Sequence, residues 1–245
     1  MSRISVRTSI LLGLASLALL ISPAYSATIT TYSDPNAWAA AANGLQEVSF
    51  EGLAPSGSEN TYNTSTGVTQ DGVEFVGYTS TAGSYYIYVI DTTAPQWSQY
   101  YGFGTGDALA LNMNRPTSGS ALPYIQISLP SPVTAFSMDL FTASPNGLSY
   151  TVTVAGTPYT VATGAWPNPT FWGITSDTGI STITLTLQGT VFNGSSYAFL
   201  DNFQFGTAGV GQVGQAPEAA TFFLIGSGLI GIIALKKRAA RNQAA

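Results

Sequence analysis

The feature that most narrows the fold is the rhythm of the apolar runs between residues 48 and 205. In Thr182-Ile183-Thr184-Leu185-Thr186-Leu187 polar and aliphatic residues alternate strictly. A period of two lays the aliphatic side chains on one face of a strand. Residues 48–50, 73–76, 86–90, 108–111, 124–129, 135–140, 150–154 and 198–205 are apolar or alternating runs of similar shortness. Gly, Pro, Ser and Asn interrupt the chain between them roughly every 8–15 residues, as turn chemistry requires. Most of these runs are too short for a helix. About nine or ten short strands with turn-rich joints predict an all-β protein, an antiparallel β-sandwich of jelly-roll type. One short helix interrupts the pattern near the start. Asp34 supplies an N-cap acid, Pro35 the first helical position, residues 39–42 propagate it, and Gly44 is expected to stop it. Trp38 would pin this helix to the domain.

Composition removes whole classes of chemistry. The 245 residues include no Cys and no His. Disulfides, thiolate metal sites, Ser-His-Asp and Cys-His catalysis and imidazole-bound zinc are therefore excluded. Charge is sparse and segregated. Of the seven basic residues, Arg3 and Arg7 lie at one end and Lys236, Lys237, Arg238 and Arg241 at the other, leaving Arg115 alone between them. Against it stand eleven acids between residues 27 and 216, a net charge of −10 for that stretch. Nucleic-acid binding needs a basic footprint and is not expected.

Both ends read as addresses. Residues 1–26 have a basic start, a 12-residue apolar stretch (10–21), then Ala24-Tyr25-Ser26, with small residues at the positions a signal peptidase reads. This is the pattern of a cleaved secretory signal peptide, with cleavage expected after Ser26. Residues 219–235 are 17 uncharged, mostly apolar residues, enough for a short transmembrane helix, and Lys236-Lys237-Arg238 follow at once. The positive-inside rule keeps that basic tail (236–241) cytoplasmic and places residues 27–216 outside. Between the two ends lie one β-sandwich domain (27–206) and a Gly-rich linker (207–216).

Pro217-Glu218-Ala219, the apolar span and the basic stop together resemble a PEP-CTERM sorting signal, covering residues 217–245. The third residue of the usual tripeptide is Pro, and here it is Ala219. The resemblance implies a Gram-negative exported protein, held in the inner membrane by its C-terminal helix while an exosortase-type enzyme processes it. Its destination would then be the cell surface or an extracellular polysaccharide matrix. Were the tripeptide not processed, the helix would remain as a permanent anchor. The middle of the chain resembles the β-sandwich domains that precede such signals. Phe50-Glu51-Gly52 early and Leu200-Asp201-Asn202-Phe203 late also resemble carbohydrate-binding modules of galactose-binding jelly-roll type.

That second resemblance implies a structural Ca²⁺ held by Glu51 and Asp201, on neighbouring first and last strands, with Asn202 as an accessory ligand. Hard oxygen donors suit such a cation, and the chain offers no soft or imidazole donors. The alternative is a turn acid and a strand acid satisfied by backbone N–H groups. Asp71-Gly72 and Asp177 read as turn chemistry. Aromatics form the other candidate site. Trp97, Tyr100, Tyr101, Trp166 and Trp172 fall in Pro-, Gly- and Ser-rich segments, where flat rings can stack on sugars. The alternative places them in the core. The expected function is a non-enzymatic surface or matrix protein that binds polysaccharide. A glycoside hydrolase with paired carboxylates and a purely structural or adhesive protein are the rivals.

Overall fold

The computed structural model describes residues 27–78, 86–95, 106–112, 123–142, 148–163, 168–188 and 197–209. The signal segment, the sorting signal, most of the linker and Trp97, Tyr100, Tyr101 and Trp166 lie outside the described residues. Among the described residues no helix is long and apolar enough to cross a membrane.

The elements run β1 (Ile29–Tyr32), α1 (Pro35–Ala41), β2 (Ala42–Val48), β3 (Glu59–Asn63), β4 (Val68–Gln70), β5 (Val73–Tyr78) and β6 (Tyr86–Asp91). They continue with β7 (Asp107–Asn112), β8 (Tyr124–Thr142), β9 (Ser149–Val154), β10 (Thr157–Ala162), β11 (Thr170–Gln188) and β12 (Tyr197–Ala208). Every pairing is antiparallel. The expected sandwich is present, built around two 19-residue strands, β8 and β11, that each serve both layers. In the first sheet the order is β4-β5-β8-β11-β9-β10, using the early half of β8 and the late half of β11. In the second it is β1-β11-β8-β12-β7-β6-β3, with β2 beside the later part of β12.

The crossing between layers explains why residues 124–129 and 135–140 read as two strands. Pro130 and Pro132 lie between them, and prolines ordinarily break a ladder. Here they sit where β8 bends from one sheet to the other. The ladder with β11 shifts register between Thr175 and Ile180 and again before Thr182. Gly179 packs at this bend, where an added Cβ would come 2.8 Å from the Pro132 Cβ.

One core fills the space between the layers. Val73, Phe75, Ile125, Ile127, Val152, Ile183 and Leu185 face it from the first sheet, and Leu109, Phe136, Met138, Leu140, Ile174, Leu200 and Phe203 from the second. Each fully buried aliphatic or Phe side chain stabilises the fold by about 1.5–3 kcal/mol, before chain entropy is set against it. Tyr150 ties the layers together. Its hydroxyl donates to the Phe141 carbonyl at 2.6 Å and accepts from the Phe199 N–H at 3.1 Å. Full burial raises the pKa of this phenol, so it stays a neutral donor.

Turn chemistry follows the sequence closely. Asp71 (φ 50°) and Gly72 (φ 79°) make the two-residue turn between β4 and β5, the left-handed pair that an Asp-Gly hairpin supplies. Asp177 accepts from the Thr28 N–H at 2.9 Å and fastens β1 to the β11 bend. Gly44 acts differently from expectation. The helix already ends at Ala41, and Gly44 (φ 59°) lies inside β2, where the pairing with β12 slips. β12 and the pairing with β2 continue to Ala208, past the expected domain end at 206.

Candidate functional site

The site begins with the helix. Asp34 caps α1 by accepting from the N–H groups of Asn36 (2.8 Å) and Ala37 (3.4 Å), and Pro35 fills the first turn. Seven residues cannot hold a helix by themselves. Trp38 supplies the tertiary anchor: it is buried, and its indole N–H donates to the Ile174 carbonyl at 3.0 Å. Gly173 makes room for it, since a Cβ there would lie 2.7 Å from the Trp38 Cδ1. The helix thus lies on the outer face of the second sheet.

Beside it runs a shallow groove of about 290 Å³. Its floor is the outer face of three adjacent strands: Phe171 on β11, Ser137 and Asp139 on β8, Asn202 and Gln204 on β12. Pro35, Asn36, Trp38 and Ala39 form one wall. The polar side chains are arranged by a bulge. The β8–β12 register shifts between Asp201 and Gln204, and Asn202 takes a left-handed backbone conformation (φ 49°) that Asn tolerates better than most residues. From there its amide nitrogen donates to the Asp139 Oδ2 at 2.8 Å.

Acids crowd this region. Asp139 and Asp201 are directly opposite each other on β8 and β12, hence on the same face. Burial pushes the Asp201 carboxyl up to about 6, and the charges of Asp139, Glu51 and Glu47 push the same way, while the Asn202 N–H opposes them. Burial also raises Asp139, partly offset by the Asn202 amide. Asp139 lines the groove, whereas Asp201 does not.

A second group of acids fastens the loop after β2. Asp107 accepts from the Ala54 N–H at 2.9 Å, and burial is the main cause of its raised pKa. Asp91 accepts from the N–H groups of Gly57 (2.6 Å) and Thr93 (2.7 Å) and from the Thr93 hydroxyl, which lower its pKa. Glu51 belongs to this network, its Oε1 accepting from the Asp107 N–H at 3.1 Å.

The expected site residues separate accordingly. Glu51 and Asp201 are close enough to feel each other's charge. Each already has one oxygen on an N–H, and the Asn202 amide is turned to Asp139. Among the described residues no three of His, Cys, Asp and Glu converge on a metal position. The donors are hard oxygens of the right kind, and main-chain carbonyls would have to complete a Ca²⁺ shell. Trp172 is corrected. It is a β11 strand residue, 7% exposed, facing inward between Phe136 and Tyr159, because the alternation beginning at Phe171 overrides the prolines before it. The ring that reaches the groove is its neighbour Phe171. Asp139 and Gln204 also line the groove, and neither is among the candidates the sequence offers. The signal for Asp139 was an acid on the polar face of the alternating run 135–140.

Comparison with known proteins reaches the C-terminus most clearly. Residues 215–238 match the PEP-CTERM protein-sorting motif. The chain thus carries a signal for export and membrane-associated sorting. No curated protein matches the chain. Among solved structures it is similar to a family 29 carbohydrate binding module, at 12% identity and a TM-score of 0.32 over 61% of this chain and 93% of the other. It is also similar to the K1 cleaved adhesin domain of Lys-gingipain from Porphyromonas gingivalis, at 10% identity and a TM-score of 0.36 over 62% of this chain and 99% of that one.

Proposed function

We propose that this exported protein is a non-enzymatic polysaccharide-binding module of the cell surface or extracellular matrix, and that the groove beside α1 is its binding site. The observation that carries this reading is the set of groups on one strip of sheet. A half-buried ring (Phe171), a carboxylate (Asp139), two amides (Asn202, Gln204) and a hydroxyl (Ser137) lie together there. A sugar presents the matching chemistry, with C–H faces for the ring and hydroxyls that both donate and accept. The net charge of −10 between residues 27 and 216 favours neutral over acidic polysaccharide. An exosortase-type enzyme is the processing partner proposed for the C-terminus. Calcium belongs to the same proposal, with Glu51 and Asp201 as its carboxylates.

Affinity gel electrophoresis in hydroxyethylcellulose, glucomannan and laminarin tests the binding reading. One or more of these should retard the purified protein. Asp139→Ala should weaken that retardation by about 10-fold, the value of hydrogen bonds to a charged group. Unchanged retardation in the variant would remove the groove from the account.

One observation favours a hydrolase as the second reading: paired carboxylates, one with a pKa of about 6. A retaining glycosidase uses two carboxyl groups about 5–5.5 Å apart on either side of the scissile bond. Only Asp139 of this pair faces the groove, which supports binding without cleavage. Release of reducing ends from the retarding glycan, abolished in Asp201→Asn, would reverse that judgement.

A further inference from the structure

The opposite side of the sandwich carries a second organised polar surface. On the outer face of the first sheet, cross-strand register aligns side chains in ranks. One rank runs Tyr78, Tyr124, Thr186, Thr151, Thr160 across β5, β8, β11, β9 and β10. The next contains Gln126, Thr184 and Thr153, and the third Ser128 and Thr182. Neighbouring strands are about 4.8 Å apart, and Thr182 to Thr186 spans about 13 Å. All of these side chains are half-buried or exposed.

Two features show that this face is more than a solvated sheet. At one end, beside the β9–β10 turn, a groove of about 270 Å³ is lined by Thr153, Ser181, Thr182 and Thr184 with Gly156 and Gly179. At the other end, Tyr78 and Tyr124 are stacked, with ring centroids 4.6 Å apart and planes 18° apart. Tyr78 is 42% exposed, one of the large hydrophobic side chains on the surface. Threonine is a good strand former on either face, so its presence alone needs no ligand. The exposed aromatic stack and the hydroxyl-lined groove, in adjoining ranks of the same face, do need an explanation.

We propose that this face is a second glycan surface, a hydroxyl track between groove and tyrosine stack that takes an extended, neutral polysaccharide chain, so that one molecule joins two chains. This rests on the binding reading given above for the groove beside α1. The track has ring faces at one end and hydroxyl donors and acceptors along its length, the two kinds of group that a sugar chain presents in return. Its charge fits a neutral ligand, because Glu74, opposite Ser128, is the acid that these ranks carry. Two sites on opposite faces cannot close on a single short segment. They bridge separate chains, or distant parts of one chain, with the gain in avidity that bivalence brings.

The test uses the purified exported protein and the three glycans named above, with two readouts: gel retardation, which needs one site, and precipitation or a rise in viscosity, which needs two. Tyr78→Ala removes an exposed ring, and Thr153→Val with Thr184→Val removes two hydroxyls at constant shape. Thermal melting confirms that each variant is folded. Tyr78→Ala should bind the track about 2- to 10-fold more weakly. Both track variants and Asp139→Ala should show weakened but residual retardation, from the one site left intact, while losing precipitation, and their combination should lose both. Track variants that still precipitate glycan like the parent would overturn the proposal. So would a parent that never precipitates glycan, or a glycan-free dimer that Tyr78→Ala dissolves, which would make the face a contact between two copies. Asp139→Ala behaving as the parent in both readouts would instead sink the groove reading and leave the track standing. Absence of retardation with every glycan would overturn both.

Discussion

Asp201→Asn tests the electrostatics of the acid pair. The carboxyl has a reference pKa of 3.8 and titrates at about 6 in the folded protein. The folded state therefore holds the proton more tightly than the unfolded chain. Asp201 leaves stability intact below about pH 4, removes it progressively as pH rises from 4 to 6, and has no further effect above. The displacement of about 2 units is worth about 3 kcal/mol at 1.36 kcal/mol per unit. Asn is nearly isosteric, keeps an oxygen for the Asn202 N–H, and carries no charge. In chelator at pH 7.5 the variant should melt higher by roughly 6–12 °C, taking ~2–4 °C per kcal/mol for a domain of this size. At pH 4 the two proteins should melt together. Differential scanning calorimetry across pH 4–8 reads both the offset and its pH dependence. A variant that melts below the parent at pH 7.5 in chelator, or an offset that does not change with pH, would refute the reasoning.

Three further outcomes follow from the packing. Tyr150→Phe removes the hydrogen bonds to the Phe141 carbonyl and from the Phe199 N–H in the core, and should cost about 1–3 kcal/mol in denaturant unfolding. Ala155 opens the β9–β10 turn at φ 48°, a left-handed conformation that Asn tolerates better than Ala, so Ala155→Asn should raise the unfolding free energy by about 0.5–1 kcal/mol in denaturant titration. If Glu51 and Asp201 hold calcium, millimolar Ca²⁺ should raise the parent's melting temperature and leave Asp201→Asn unmoved; equal curves with Ca²⁺ and with chelator would remove the metal.

The fold was legible where a residue's neighbours in sequence decide its surroundings. Thr182 to Leu187 alternates because one face is core and the other is not, and Asp34-Pro35 caps a helix with its own side chain and ring. What stayed hidden depends on distant partners. β1, β3 and β10 bury few side chains, so their sequences carry little alternation, and their place comes from the strands they pair with. Pro130 and Pro132 read as breakers until the bend between sheets gives them a position. The same holds for the site. Asp201-Asn202 stood out locally, but the role of Asp139 exists only through the β8–β12 pairing, which brings Asn202 to it across 63 positions. Trp172 faces the core and Phe171 reaches the groove for a similar reason, because strand parity decides which ring turns inward.

The groove beside α1 is the central claim, and the side-chain amides of Asn202 and Gln204 report on it directly. Their NH₂ resonances, followed by ¹⁵N-correlated NMR during titration with a glycan that retards the protein, should shift and saturate with the backbone resonances of Asp139 and Phe171. Saturation by that glycan with these four residues unmoved would contradict the account.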